Sequence, residues 1–395
     1  MMKKVVLHKG REKSLLRKHP WIFSGAINST DENIELGETV HIFSANNNFL
    51  CVGAYSPHSQ IRVRVWDFNQ IDINKNFFEE RIKSALNFRK SVIDDKKYNA
   101  YRLINSESDS LPGLIVDKYN DVLVCQFISA GAERWKQTII EILVEQLEPT
   151  AIYERSDADV RQKEGLKPVK GMLFGKIDSG EVIIQEDNLS YIVNIFTGHK
   201  TGFYLDQREN RKIISEYSKG KTVLNCFSYT GGFGIAAAAN QAEHITNIDS
   251  SDEILTIAER NFQLNKIPEN KFTNLKADVF SELRKLKSED RKFDLIILDP
   301  PKFVEGKSSL NKASRGYKDI IMLAMQLLNE NGLLFTFSCS GLMTPELFNK
   351  IIADAAIDAG INFSIIDRLW QSTDHRVTTC FPESLYLKGL LVKRD

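Results

Sequence analysis

The sequence predicts a multidomain α/β protein with an N-terminal small β-barrel, a middle α+β domain and a C-terminal doubly wound parallel sheet. Three observations carry this prediction. Short runs of strand-like composition crowd the first 70 residues. Strands alternate with helices from Lys221 onward. A chain of 395 residues also exceeds what a single core usually serves. The divisions that follow are residues 1–70, 72–188 and 190–395.

In the first division, Thr39–Phe43, Leu50–Tyr55 and Ile61–Trp66 read as strands, punctuated by Gly37-Glu38, Asn46-Asn47-Asn48 and Ser56-Pro57. Short strands at close intervals suit a small barrel. In residues 1–24, Lys3, Lys4, Lys9, Arg11, Lys13, Arg17 and Lys18 face a single acid, Glu12. His19, Trp21 and Phe23 interleave with them. Cations beside flat rings suit RNA, where phosphates take the charge and bases stack. A solvated basic face over a Trp21–Phe23 core is the competing reading.

In the second division, Phe77–Ser91 and Ala132–Gln146 read as amphipathic helices. Leu114–Asp117, Val122–Ile128, Ile152–Glu154, Val182–Gln185 and Tyr191–Phe196 read as strands. Nothing here points to catalysis. Arg155, Asp157 and Arg161 read as surface salt bridges.

In the third division, Gly198–Gly202 leads a polar loop into a helix. Asp206 is placed to cap that helix, with Glu209 in the capping-box position. A loop facing a cofactor is the other reading of this stretch. From Lys221, strands are predicted at Val223–Cys226, His244–Ile248, Thr273–Lys276, Phe293–Leu298 and Leu333–Phe337. Helices are predicted at Glu253–Leu264, Ser281–Lys287 and Ile320–Asn329, with an alanine-rich helix after Gly231.

The composition is that of an ordinary globular protein, 42% hydrophobic and 26% charged, with zero net charge. No apolar run approaches the roughly 20 residues that cross a bilayer. Five irregularly spaced cysteines argue against a disulfide framework or a Cys-x-x-Cys metal site, and fit a reducing cytoplasm.

Ligands of open α/β sheets sit outside the carboxyl ends of the strands. Each predicted strand of the third division ends in a chemically useful group. The first ends in Gly231, Gly232 and Gly234, which match neither G-x-G-x-x-G nor the P-loop. The second ends at Asp249, 18 residues past Gly231, where an acid can accept from ribose hydroxyls. The third ends at Asp278, placed to meet an adenine amino group. Asp249 and Asp278 also suit helix N-caps. The fourth ends in Asp299-Pro300-Pro301-Lys302-Phe303, and the fifth at Cys339. Rigid prolines hold the Asp299 side chain and nearby carbonyls in place.

This order resembles class I S-adenosylmethionine-dependent methyltransferases. More narrowly, several stretches resemble the bacterial ribosomal RNA large-subunit methyltransferase I family, which begins with a PUA domain. They are Lys9–Leu16, His19–Gly25, Gly198–Gly202, Leu205–Arg208, Asn225–Phe233, Asp299–Val304 and Ser338–Met343. The resemblance runs nearly end to end. It implies a PUA RNA-binding domain, a small middle domain, a Rossmann-like methyltransferase domain and the cofactor S-adenosylmethionine. It implies 5-methylcytosine formation in 23S ribosomal RNA, as naked RNA or in an assembling large subunit, and leaves homodimerisation open.

Carried over by position, Cys339 and Asp299 are catalytic, and Pro300, Pro301, Lys302 and Phe303 position the substrate. The cofactor falls against Asp206, Gln207, Asn225, Phe227, Ser228, Gly231, Gly232, Asp249, Ser250, Asp278, Val279 and Asp299. RNA falls against Lys9, Arg11, Lys13, Arg17, Lys18, His19 and Trp21. No metal is expected. Two departures stand out. No second cysteine follows the Asp-Pro-Pro stretch, and Arg376 follows His375 where proline is expected.

The chemistry accounts for the residue types. Cytosine carbon 5 is a poor nucleophile until a thiolate adds to carbon 6. Asp299 would stabilise the adduct at the ring nitrogen and amino group. Two other readings remain: methylation of an exocyclic nitrogen, which needs no thiol, and a non-catalytic RNA-binding assembly factor.

Overall fold

The computed structural model describes residues 2–304 and 306–395. The chain folds into two compact units built from interleaved stretches. The first takes the chain up to Asp187, then Val193–Leu205 and Thr373–Ser384. The second takes Asn188–Ile192, Asp206–Ser372 and Leu385–Asp395.

The first unit opens with a six-stranded sheet: β1 (Lys4–Leu7), β2 (Trp21–Phe23), β3 (Ile27–Thr30), β4 (Thr39–Phe43), β5 (Phe49–Tyr55) and β6 (Ile61–Asp67). Their order is β2-β6-β5-β4-β1-β3. The β1–β4 pair is parallel. Period-2 alternation sends Val5, Leu7, Val40, Ile42, Val63 and Val65 into one apolar cluster.

The same unit continues with β7 (Ala100–Asn105), β8 (Leu114–Tyr119), β9 (Val122–Phe127), β10 (Ala151–Ser156) and β11 (Val169–Gly175), ordered β11-β10-β9-β8-β7. The helix Lys75–Val92 is capped by Asn74, whose side chain accepts from the Phe77 N–H at 3.1 Å. It buries Phe77, Phe78, Ile82 and Ala85. The helix expected at Ala132–Gln146 is two helices, Ala130–Arg134 and Lys136–Leu147. Trp135 ends the first at φ −96°, ψ 7°, with its ring tilted against Phe78.

Arg155 and Arg161, read from sequence as surface ion pairs, are 5% and 2% exposed. Backbone carbonyls explain their burial. Arg155 donates to the Ile195 carbonyl at 2.9 Å, and Arg161 to the Phe127 carbonyl. A larger buried network surrounds Arg89, which is 1% exposed. Arg89 donates to Asp109 at 2.6 Å, the Arg102 carbonyl at 2.9 Å and the Asp374 carbonyl at 2.8 Å. Asp374 accepts from the Arg102 N–H at 2.7 Å, and Arg102 forks onto Asp117 at 2.8 and 2.9 Å. The Thr373–Ser384 stretch is thereby tied into a sheet formed far earlier in the chain.

Two short strands, β12 (Glu181–Glu186) and β13 (Leu189–Asn194), follow. The second unit holds β14 (Thr222–Cys226), β15 (His244–Asp249), β16 (Phe272–Lys276), β17 (Phe293–Leu298), β18 (Leu328–Ser338), β19 (Phe363–Trp370) and β20 (Lys388–Arg394). Their order is β16-β15-β14-β17-β18-β20-β19. All neighbours through β18 run parallel, and β20 is antiparallel to both β18 and β19. The central strands are near-continuous apolar runs because helices cover both faces. Leu224, Ile296, Leu298, Tyr317, Ile321, Leu334 and Phe348 share one core. Each such large side chain contributes about 1.5–3 kcal/mol on burial. No described helix is long and apolar enough to cross a membrane.

Candidate active site

The sheet order reverses between β14 and β17, so their carboxyl ends flank a crevice. Register places the ends of the strands along one edge. Cys226 aligns with Ile248 and Leu298, Asp249 with Lys276, and Leu298 with Thr336. Along that edge the spatial order is Asp278, Asp249, the loop after β14, Asp299 and Cys339.

The loop after β14 is a strained turn. Phe227 and Tyr229 hold φ of +58° and +50°, a region bulky residues seldom occupy, and Gly231 holds +81°. Asp249 secures it: one carboxylate oxygen accepts from the Tyr229 N–H at 3.0 Å, the other from the Ser251 N–H at 3.1 Å. Ser251, not Asp249, caps the helix Asp252–Leu264. The capping reading of Asp249 is therefore set aside. Asp278 does cap: it accepts from the Ser281 N–H at 2.9 Å at the head of Val279–Ser288. The Asp278 side chain is exposed, as is that of Ser250, whereas Val279 is buried in the core.

The glycines serve packing as much as ligand approach. A Cβ on Gly231 would meet Phe262 at 3.1 Å. One on Gly234 would fall 2.5 Å from Asn247 Oδ1. Asn247 belongs to a buried amide ladder: Asn225 donates to it at 2.9 Å, and it donates to Asn274 at 2.9 Å. Gly234→Ala is expected to cost about 1–3 kcal/mol by overpacking this ladder. The readout is the denaturation midpoint of the purified variant, and an unchanged midpoint would refute the account.

The cradle fits a nucleoside-bearing cofactor. Asn225 Oδ1, Ser228 Oγ and Thr230 Oγ1 are buried at the turn without hydrogen-bond partners among the described residues. Buried polar atoms are normally satisfied. The helix Gly232–Ala239 begins there without a side-chain cap, leaving its first N–H groups for a ligand. Among the described residues, no cluster of metal-ligating side chains occurs.

Asp206 does not cap its helix, which starts at Arg208 after Gln207 without a side-chain cap. Tyr386 donates to the Asp206 carboxylate at 2.6 Å instead, and Ser372 receives the Glu209 N–H at 3.2 Å. Gln207 donates to Asp299 at 3.1 Å and accepts from Asn210 at 2.5 Å, which orients the half-buried Asp299. Pro300 is buried, while Pro301 and Lys302 are exposed. Phe303 packs among Phe227, Phe280 and Tyr317, at 6.5, 5.9 and 4.8 Å between ring centres. Cys339 is half-buried just past β18.

Two neighbours of this edge escaped the sequence reading. Tyr317, on the helix Leu310–Gln326, has its hydroxyl pushed up by burial and by the charges of Cys339 and Asp299. Lys388, at the head of β20, is 4% exposed. A lysine opening the apolar run Gly389-Leu390-Leu391-Val392 was the signal available for it.

In the first unit, Lys9, Arg11, Lys13, Arg17 and Lys18 are all exposed. His19 and Trp21 are only half-exposed. Trp21 donates to Glu107 at 2.7 Å and meets Phe381 edge-on at 4.7 Å, and His19 pairs with Glu383 at 3.2 Å. Trp21 is thus a fixed ring rather than an open stacking platform, and Phe23, 50% exposed, is the outward ring. Burial works against ionised Glu107, but Arg64 and the Ser106 and Trp21 hydrogen bonds hold its carboxyl below the ordinary range.

Fold and cradle together define an S-adenosylmethionine-dependent methyltransferase with a PUA-like domain. The methyltransferase family model matches residues 173–374, and the PUA-like domain model residues 5–68. A methyltransferase structure complexed with SAH superposes with TM-score 0.86 at 25% identity over all of both chains. The structure of a protein assigned as a SAM-dependent methyltransferase from Streptococcus mutans does the same. Proteins named Ribosomal RNA large subunit methyltransferase I are similar throughout. The one from Pseudoalteromonas atlantica is 51% identical over 394 residues, covering 100% of each chain. The one from Tolumonas auensis is 52% identical over 392 residues, covering 98% of each. The chain belongs to the ribosomal RNA large subunit methyltransferase I family.

Proposed function

We propose that the protein methylates carbon 5 of a cytosine in 23S ribosomal RNA through a transient bond between Cys339 and the base. The supporting observation is the placement of a half-buried cysteine and an oriented carboxylate on adjacent strand ends beside the cofactor cradle. The names of the relatives support a large-subunit RNA as the substrate.

Asn225, Ser228, the turn Phe227–Gly232 and Asp249 would hold the cofactor, with Asp249 toward the ribose and Asp278 near the adenine. When bound, the cofactor supplies an electrophilic methyl group. The chain's own residues prepare the acceptor. The Cys339 Sγ–carbon 6 bond forms, and the electrons of the carbon 5–carbon 6 double bond become available at carbon 5. Asp299, steadied by Gln207, hydrogen-bonds the ring nitrogen and amino group as charge develops there. After methylation, the carbon 5 proton leaves to a base, the double bond reforms and Sγ departs with its electron pair. A base reached in this way must be flipped or single-stranded.

Residues 1–70 would anchor the RNA through phosphates at Lys9, Arg11, Lys13, Arg17 and Lys18, with His19 and Trp21 beneath. Residues 72–188 form the middle division and 190–395 the methyltransferase division.

RNA carrying 5-fluorocytosine tests the mechanism, because fluorine cannot leave as a proton does. A covalent protein–RNA complex is expected with naked 23S ribosomal RNA fragments or with assembling subunits, mapping to Cys339. Absence of a trapped complex from both, with methylated RNA still formed, would overturn it in favour of nitrogen methylation.

A further inference from the structure

An ammonium is seldom buried unless something within the fold uses it. Lys388 lies on the strand between β18 and β19, 4% exposed, directly across from Ser338 on one side and Trp370 on the other. Its Nζ donates to the carbonyl of Ser340. The Lys388 backbone therefore pairs with the residue before Cys339 and its ammonium bonds the residue after it, and the ammonium and the thiol interact electrostatically. One carbonyl satisfies only one of its three donors.

We propose that Lys388 is a positioning residue that holds its ammonium beside Cys339 and keeps that cysteine a thiolate. The inference rests on the reading of Cys339 as the nucleophile. Tyr317, from the helix Leu310–Gln326, and Asp299, from the end of β17, also face this corner. Neither supplies positive charge, and an ionised Asp299 disfavours a second anion close by. Lys388 offsets it.

The pair shares one proton. Amine plus thiol becomes ammonium plus thiolate, with no outside acid or base. The thiolate electron pair then forms the bond to carbon 6, and returns to Sγ beside the ammonium when that bond breaks. Burial is the larger influence on Lys388 and Cys339 opposes it, and the net effect lowers the ammonium to about 8.

The test is the pH dependence of iodoacetamide alkylation at Cys339, followed by peptide mass spectrometry in the full-length protein. Cys51, Cys125 and Cys226 are buried, and Cys380 is replaced by serine to remove a second half-exposed thiol. In the Lys388 parent, the midpoint should fall below the free-thiol value of about 8.5. Lys388→Gln should raise it by roughly one to three pH units, and Lys388→Arg should largely restore it. A parent midpoint at or above the free-thiol value, or an equal midpoint in a folded Lys388→Gln protein, would overturn the inference. The parent measurement stands even if the variant does not fold. A shifted midpoint alongside failure to trap 5-fluorocytosine RNA would sink the adduct reading but leave the lysine–thiol coupling in place.

Discussion

Cys339→Ala is expected to lower methyl transfer to 23S ribosomal RNA by at least about a thousandfold, on the scale seen when a covalent nucleophile is removed. S-adenosylmethionine affinity should stay within about twofold, because the cradle is built at the ends of β14 to β16, whereas Cys339 follows β18. Single-turnover rates and calorimetric titration of the same preparation separate the two effects. A rate near the parent's would remove the thiol from the reaction and point to nitrogen chemistry. Loss of cofactor binding would place Cys339 in the cradle instead.

Arg89→Met should destabilise the first unit by roughly 3–5 kcal/mol, the range for stranding one partner of a buried ion pair. The Asp109 side chain is fully buried, and after the change its nearest guanidinium is that of Arg376, at 3.4 Å. Asp374 also loses the donor to its carbonyl. Three of the four tryptophans, Trp21, Trp66 and Trp135, belong to this unit, so urea unfolding followed by fluorescence reports on it. The transition should move to lower urea. Adding Asp109→Asn should recover part of the loss, since the stranded charge is then gone. A shift worth under about 1 kcal/mol would mean that water or rearrangement satisfies the carboxylate.

The parallel sheet was legible because its strands are long apolar runs ended by glycine, aspartate or proline. Phe293–Leu298 was placed to the residue. The candidate site was read from the ends of those strands, and the strand order alone brings Asp249, Asp299 and Cys339 to one edge. Other features were hidden by their dependence on distant partners. β7 is buried throughout and carries Arg102, whose guanidinium forks onto Asp117 and whose backbone N–H is taken by Asp374 far along the chain, so it reads as no strand at all. Asp206 looked like a helix cap because its local spacing is right, yet Tyr386 claims its carboxylate. Gln207, expected beside the cofactor, also donates to Asp299, a link that no local spacing shows. His375-Arg376 was given no role. Asp374 and Arg376 turn out to close the Arg89 network, and the Arg376 guanidinium lies 4.7 Å over the Phe88 ring.

The interleaving of the chain has a consequence for its synthesis. Polypeptide emerges from the N-terminal end, and domains usually fold as they appear. Here the stretch Thr373–Ser384, which answers Arg89, Arg102 and Asn105, emerges only after the whole of Asp206–Ser372 has been made. Until then the Arg89 guanidinium, the Arg102 N–H and the Asn105 amide each lack an acceptor that is still to be made. The first unit's last folding step therefore waits for Thr373–Ser384, and a fragment cut before Thr373 lacks the means to complete it.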